Sequence, residues 1–172
     1  QRVAQCLDVF LGAAPRELAH PRQHPSYLFF PGLPSTPFID REHLPWLEVL
    51  ESNTDIIREE MLAVLAEPGQ LEAFHEKASP EELERLVRGS EGKLAWEAFF
   101  FYRNGRRYDE NCARCPRTTA LIESLPIPRI PGHAPEICFS VLKAGAHILK
   151  HTGSTNTRIV THLPLVVPED CA

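Results

Sequence analysis

No apolar run in this 172-residue chain approaches the ~20 residues that a bilayer-spanning helix needs, so no membrane span is expected. Positive charge is in deficit as well. The 18 Lys and Arg stand against 23 Asp and Glu, and the net −5 offers no broad handle for nucleic acid or an anionic membrane. Cysteine is sparse and odd in number, five in all, which argues against a disulfide scaffold and mildly for a reducing compartment. Repeats and low-complexity tracts are missing. The opening QRVAQCLDVFLG has neither a methionine nor a charged-then-apolar leader. It leads to two expectations: the sequence begins inside a longer protein, and its compartment is the cytoplasm.

What is present is ordinary apolar content, 43%, together with 16 prolines and 8 histidines. The length suits one well-buried domain with a small helical appendage. Val3, Leu7, Phe10 and Leu11 space like a short helix over residues 3–12. Prolines at 15, 21, 25, 31, 34 and 37 then forbid a sustained helix, so SYLFFPGLPSTPF reads as the apolar anchor of an extended strap. Leu47, Leu50, Ile57, Met61, Leu62 and Leu65 keep a 3.6-residue stripe over two helices, with Asn53 or Thr54 able to cap the second. Ser79-Pro80-Glu81-Glu82 is a capping-box start whose helix would bury Leu83, Leu86 and Val87. After residue 94 the texture turns to strands: LAWEAFFFYR into an Asn104-Gly105 turn, then ICFSVLK, AHILKH and TRIVTHLPLVV. Helices first and antiparallel strands later predict an α+β fold.

Period-2 alternation places Cys138, Ser140 and Leu142 on one face of ICFSVLK, opposite Ile137, Phe139 and Val141. It likewise groups Arg158, Val160 and His162 in TRIVTHL, opposite Thr157, Ile159 and Thr161. Polar groups among apolar ones on one face are the expected lining of a pocket for a polar ligand. Of the histidines, His20, His24, His43 and His75 read as solvated and His133 as a loop residue. His147 and His151, four apart, are a conceivable metal pair, though Ala144-Gly145-Ala146 breaks the run and no HExxH glutamate is present. His151, at a predicted strand end before the turn HTGSTN, is the better ligand candidate. Two histidines and a carboxylate written H-x-D/E…H form the common non-haem iron triad. Gly153 stands where that carboxylate would be. The lone CARC at Cys112 and Cys115 leaves three readings open: a zinc site, a disulfide or redox pair, or two plain thiols in a loop.

The block PEICFSVLKAGAHILKHTGSTNTRIVTHLPLVVPED resembles the core of the aspartyl/asparaginyl β-hydroxylase family. The likeness extends upstream through NGRRYDEN, AWEAFFFY and FPGLPSTPF, from about residue 28. It implies a lead-in over 1–27 and an oxygenase domain over 28–172, built on a double-stranded β-helix of cupin type. It further implies Fe(II) as cofactor, 2-oxoglutarate and O2 as cosubstrates, and hydroxylation of an unactivated C–H. Substrates would be Asp or Asn residues of a polypeptide, or, in a related branch, lipid acyl chains. Glycine at the carboxylate position is typical of the family, so His151 is implied as the first iron ligand. Trp96, Ser140 and His162 match cosubstrate-binding positions. Val160 departs from the pattern, since eukaryotic members carry arginine there. Trp96 as plain core and Ser140 as a satisfied hydroxyl remain open readings. Arg106 and Arg107 match a family block and would face an acidic substrate, or else form a solvated turn. The family's disulfide is not transferred to Cys112 and Cys115, whose spacing differs.

The second iron histidine and the arginine for the distal carboxylate of 2-oxoglutarate have no match after His151, and the closing strands have none either. The expectation is therefore a truncated N-terminal part of the oxygenase domain. Two other classes compete with it. One is a non-catalytic binding module; the other is a zinc hydrolase built on His147 and His151.

Overall fold

The computed structural model describes residues 1–34, 36, 38–75, 78–89, 95–169 and 171. Ser35 and Pro37 of the strap, Leu94 before the aromatic strand and Asp170 lie outside them. The chain divides into two units, Gln1–His43 with Lys150–His162, and Leu44–Leu149 with Leu163–Ala172.

In the first unit, helix α1 (Arg2–Phe10) buries Cys6 and Val9. Among its described residues the proline-rich strap that follows forms no helix or strand up to a 3₁₀ turn at Arg41–His43. Phe29 is its buried anchor, whereas Tyr27 and Phe38 stay exposed, so the apolar run is less of an anchor than its composition promised. Its carbonyls are tied to α1: Arg2 Nη2 donates to Pro31 O at 3.0 Å and Cys6 Sγ to Phe29 O at 3.5 Å.

The second unit begins with α2 (Leu47–Ser52) and α3 (Thr54–Leu65). Asn53 holds the cap position of α3, but its amide donates backwards to Val49 O at 2.8 Å instead of capping forwards. Strand β1 (Glu72–Ala73) leads to α4 (Pro80–Leu86), whose capping box forms as its residues predict: Glu82 N donates to Ser79 Oγ, and Ser79 N to Glu82 Oε2. The helix stops one residue earlier than expected. Val87 is buried in strand β2 (Val87–Arg88), with φ −136° and ψ 133°, and not on the helix face.

The central strand is β3 (Trp96–Arg103), with β4 (Arg106–Arg107) across the tight turn. Both turn residues have positive φ, 51° at Asn104 and 77° at Gly105, as the Asn-Gly pair predicts. A Cβ at 105 would lie 2.7 Å from Ile130 O and 2.8 Å from Ala134 O. Gly105→Ala is therefore expected to cost about 2 kcal/mol in urea unfolding, because strain and crowding combine.

Helices α5 (Asp109–Arg114) and α6 (Pro116–Ser124) had no counterpart in the sequence reading. Their buried positions are Cys112, Thr118, Thr119 and Ile122, and the small side chains at the first three hide a helical period. Strands β5 (Ile137–Leu142) and β6 (His147–Ile148) complete the set. All pairings between these strands are antiparallel: β5, β1 and β4 pair with β3, and β6 pairs with β2. The fold is α+β.

TRIVTHL is not a strand. Alternation favours extended backbone, but a strand also needs a partner for its N–H and C=O groups, and none pairs with this segment among the described residues. One face of β3 and β5, with Phe99, Phe101 and Phe139, packs against Ile57, Met61 and Val64 of α3 and Ile122 of α6. Leu163 and Leu165 close over the same core, and Arg58 Nε ties Leu165 O at 2.6 Å. Among the described residues, no helix is long and apolar enough to cross a membrane.

Candidate functional site

The β3–β5 register sets Trp96 opposite Leu142, Ala98 opposite Ser140 and Phe100 opposite Cys138. Those six side chains share the face away from the core, as the alternation of ICFSVLK requires. On it the Trp96 indole N–H donates to Ser140 Oγ at 2.8 Å. Phe74 stacks on Trp96 with centroids 4.2 Å apart and planes 11° from parallel, and His75 meets the indole edge-on at 5.1 Å. The Arg103 guanidinium lies 4.4 Å above the Phe100 ring, donates to Phe74 O at 3.0 Å and faces Glu72 at 3.8 Å.

Trp96 is thus neither plain core nor isolated. Ser140 Oγ, accepting the indole N–H hydrogen bond, keeps its own O–H as a donor toward an anion. Burial pushes the neighbouring Cys138 thiol up to about 12, with Glu136 adding to the effect, so it is neutral at ordinary pH. Phe74 and His75 escaped the sequence reading. His75, expected to be solvated, is half-buried, because an aromatic pair beside β1 folds over Trp96. The signal available was a lone Phe-His pair inside the acidic stretch LEAFHEK.

Residues 150–162, which carry His151 and His162, lie in the other unit, whereas His147 does not. Strand β6 ends at Ile148, so His151 sits three residues beyond it in a loop and not at a strand end. His151 and His162 are exposed, as is Val160 at 71%. Without a strand, the shared face expected for Arg158, Val160 and His162 is not formed.

Gly153 differs from the turn glycines. Its φ is not positive, and a Cβ there would come no closer than 3.8 Å to Thr155 O. Neither conformation nor packing demands a glycine at 153.

His147 faces Arg88 across the β2–β6 pair. Among the described residues, three metal-ligating side chains converge only at Asp40, Glu42 and His43, all exposed, an arrangement common on surfaces without an ion. The iron reading therefore rests on the donor chemistry of His151 alone, since an imidazole suits Fe(II) and Gly153 has no side chain to ligate.

Two other sequence candidates have structural roles. Arg107 is held by Glu123 at 2.9 Å and by Asp109, and Tyr102 donates to the same Glu123 oxygen at 2.6 Å. Its guanidinium is committed within the fold, while Arg106 lies over the Tyr108 ring. Cys112, inside α5, and Cys115, at the bend that joins α5 to α6, are free, buried thiols. Burial raises both thiols, Cys115 to about 11, so they remain protonated and act as core.

Comparison with known proteins shows the family. The family model described as Aspartyl/Asparaginyl beta-hydroxylase matches residues 51–172. Human "Aspartate beta-hydroxylase domain-containing protein 2" is 33% identical over 87% of the chain, and human "Aspartyl/asparaginyl beta-hydroxylase" 30% identical over 90%. "Ornithine lipid ester-linked acyl 2-hydroxylase" of Rhizobium tropici is 28% identical over 80% of the chain. The chain spans 38%, 20% and 44% of these three relatives respectively, less than half of each. A family match over most of its length, with the Trp96–Ser140 pair and the HTG loop inside the matched stretch, means that the chain belongs to the aspartyl/asparaginyl β-hydroxylase family.

Proposed function

We propose that the chain is part of a hydroxylase dependent on Fe(II) and 2-oxoglutarate, with β3 and β5 forming part of a double-stranded β-helix. The observation that carries this reading is the Trp96–Ser140 hydrogen bond on a sheet face walled by Phe74 and Phe100. Ser140 O–H, exposed beside the Trp96–Phe74 stack, would donate to a carboxylate oxygen of 2-oxoglutarate. His151 would hold the iron through an imidazole nitrogen. His162 would supply a second contact to the cosubstrate, and Val160 no side-chain hydrogen bond at all. Bound iron and 2-oxoglutarate, with O2, supply the oxidising power toward an unactivated C–H; the protein contributes placement and dryness.

The substrate is read as Asp or Asn residues in a polypeptide, after the names of the human relatives. The similarity to the Rhizobium lipid hydroxylase favours a lipid acyl chain as the second reading. Incubation with Fe(II), 2-oxoglutarate and either an Asp/Asn peptide or an ornithine lipid should form succinate in step with hydroxylated product. Succinate at background with both substrates would leave a binding module. Stoichiometric zinc insensitive to 2-oxoglutarate would point to a hydrolase instead.

A further inference from the structure

Residues 150–157 make no strand, so the turn that follows His151 is held by a partner other than a sheet ladder. That partner is the proline-rich strap of the same unit. Thr152 Oγ1 donates to His24 O at 2.7 Å, and Ser26 N donates to Gly153 O at 3.1 Å. Ser154 O accepts from both Tyr27 N and Leu28 N, and Leu28 bridges Thr155 in parallel. The contact closes at Asn156, whose Oδ1 accepts from Phe30 N at 2.7 Å while its Nδ2 donates to Phe30 O at 2.9 Å. The side-chain amide thus takes the place of a peptide group in a ladder, between residues 126 apart in sequence. Behind Phe30 the strap is fixed in turn, through Phe29 and Pro31, to Cys6 and Arg2 of α1.

We propose that Asn156 is the positioning residue of the His151 loop: its amide locks the HTGSTN turn to the strap and so sets the direction of the imidazole. The inference rests on the reading of His151 as a metal ligand. A ligand must be held within about 0.5 Å and 10–20° of its working geometry, and the clasp fixes the backbone that carries this one. Only an amide satisfies both backbone groups of Phe30. Aspartate would set a carboxylate oxygen against a carbonyl, and alanine would leave both groups unpaired. Prolines in the strap stiffen the platform by narrowing what the unfolded chain can explore.

The test is a Mn(II) titration of the full chain with 2-oxoglutarate present, followed by the EPR signal of free Mn(II). Asn156→Ala is expected to weaken Mn(II) binding at least about 10-fold, the scale of losing a residue that orients a metal ligand. Far-UV circular dichroism should stay unchanged. Asn156→Asp, which keeps the side chain's size, should weaken it as well and supplies the readout if the alanine variant does not fold. A variant destabilised elsewhere, Glu60→Gln, should bind Mn(II) like the parent, separating positioning from loss of stability. Binding within twofold of the parent in both Asn156 variants, where His151→Ala abolishes it, overturns the positioning role alone. Absence of Mn(II) binding, or binding indifferent to His151→Ala, overturns the metal reading and the inference together.

Discussion

His151→Ala is expected to weaken Fe(II) binding in the presence of 2-oxoglutarate by about 100-fold or more, roughly 2.7 kcal/mol, and to bring succinate formation down to background. The size follows from the poverty of the donor set. With glycine at 153, the loop offers one imidazole and no carboxylate, so removing the imidazole takes away its whole contribution to the metal. The same substitution should hardly move the unfolding midpoint, because the residue is exposed and surface changes stay within about 0.5 kcal/mol. Gly153→Ala is the matching control for folding, since the position has neither a positive φ nor a close neighbour. Anaerobic titration calorimetry with Fe(II), beside thermal unfolding of all three proteins, separates lost metal from lost structure. A His151→Ala variant that keeps full turnover removes this residue from the site.

The parts of the molecule that could be read from sequence are those where one local rule suffices. Ser79 and Glu82 form their capping box because every participant lies within one helical turn. Asn104-Gly105 turns because both residues tolerate positive φ. Ser140 shares a face with Trp96 because a strand has period 2 and β5 does pair with β3. The same period misled at TRIVTHL, where alternation was present and, among the described residues, the partner strand was not. Residues 109–124 went unread for the opposite reason: cysteine and threonines carry most of the buried face, and Ile122 alone among the buried positions is too little to mark a helical period. Within the site, the Asn156–Phe30 clasp was out of reach. Its members lie at opposite ends of the chain, and nothing local in either stretch announces the other. His75 was misjudged for a similar reason, since its burial comes from Trp96 on a later strand.

Glu60 shows how far such a long-range partner can decide stability. It sits on the buried stripe of α3 beside Ile57, Met61 and Val64, 7% exposed. A lone carboxylate there would be costly, but α6 begins with no side-chain cap of its own. Pro116 carries no N–H, so the first orphan donors of that helix are Arg117 and Thr118. Glu60 Oε1 accepts from Arg117 N at 3.1 Å, and Oε2 accepts from Thr118 N at 2.8 Å. Arg117 Nε adds a further bond at 3.2 Å. The carboxylate therefore caps α6 from another helix and meets its positive dipole end. Burial acts to raise the Glu60 pKa, but the hydrogen bonds from Thr118 and Arg117 outweigh it and hold the group below the usual carboxylate value. Glu60→Ala is expected to cost about 3 kcal/mol in urea unfolding, because three donors lose a charged acceptor at once. Glu60→Gln, which keeps one acceptor oxygen, should cost about half as much. Since the folded pKa is the lower one, the stabilisation is fully present above the unfolded value near 4.3 and is lost as pH falls through the folded value. The gap between parent and Glu60→Gln should thus be widest near neutral pH and narrow progressively below about pH 4. Glu123, also held low by Tyr102 and Arg107, gives both proteins a common acid-dependent slope that cancels in the difference. A gap that stays constant from pH 7 to pH 3 would mean that Glu60 contributes shape to the α3–α6 contact and not charge.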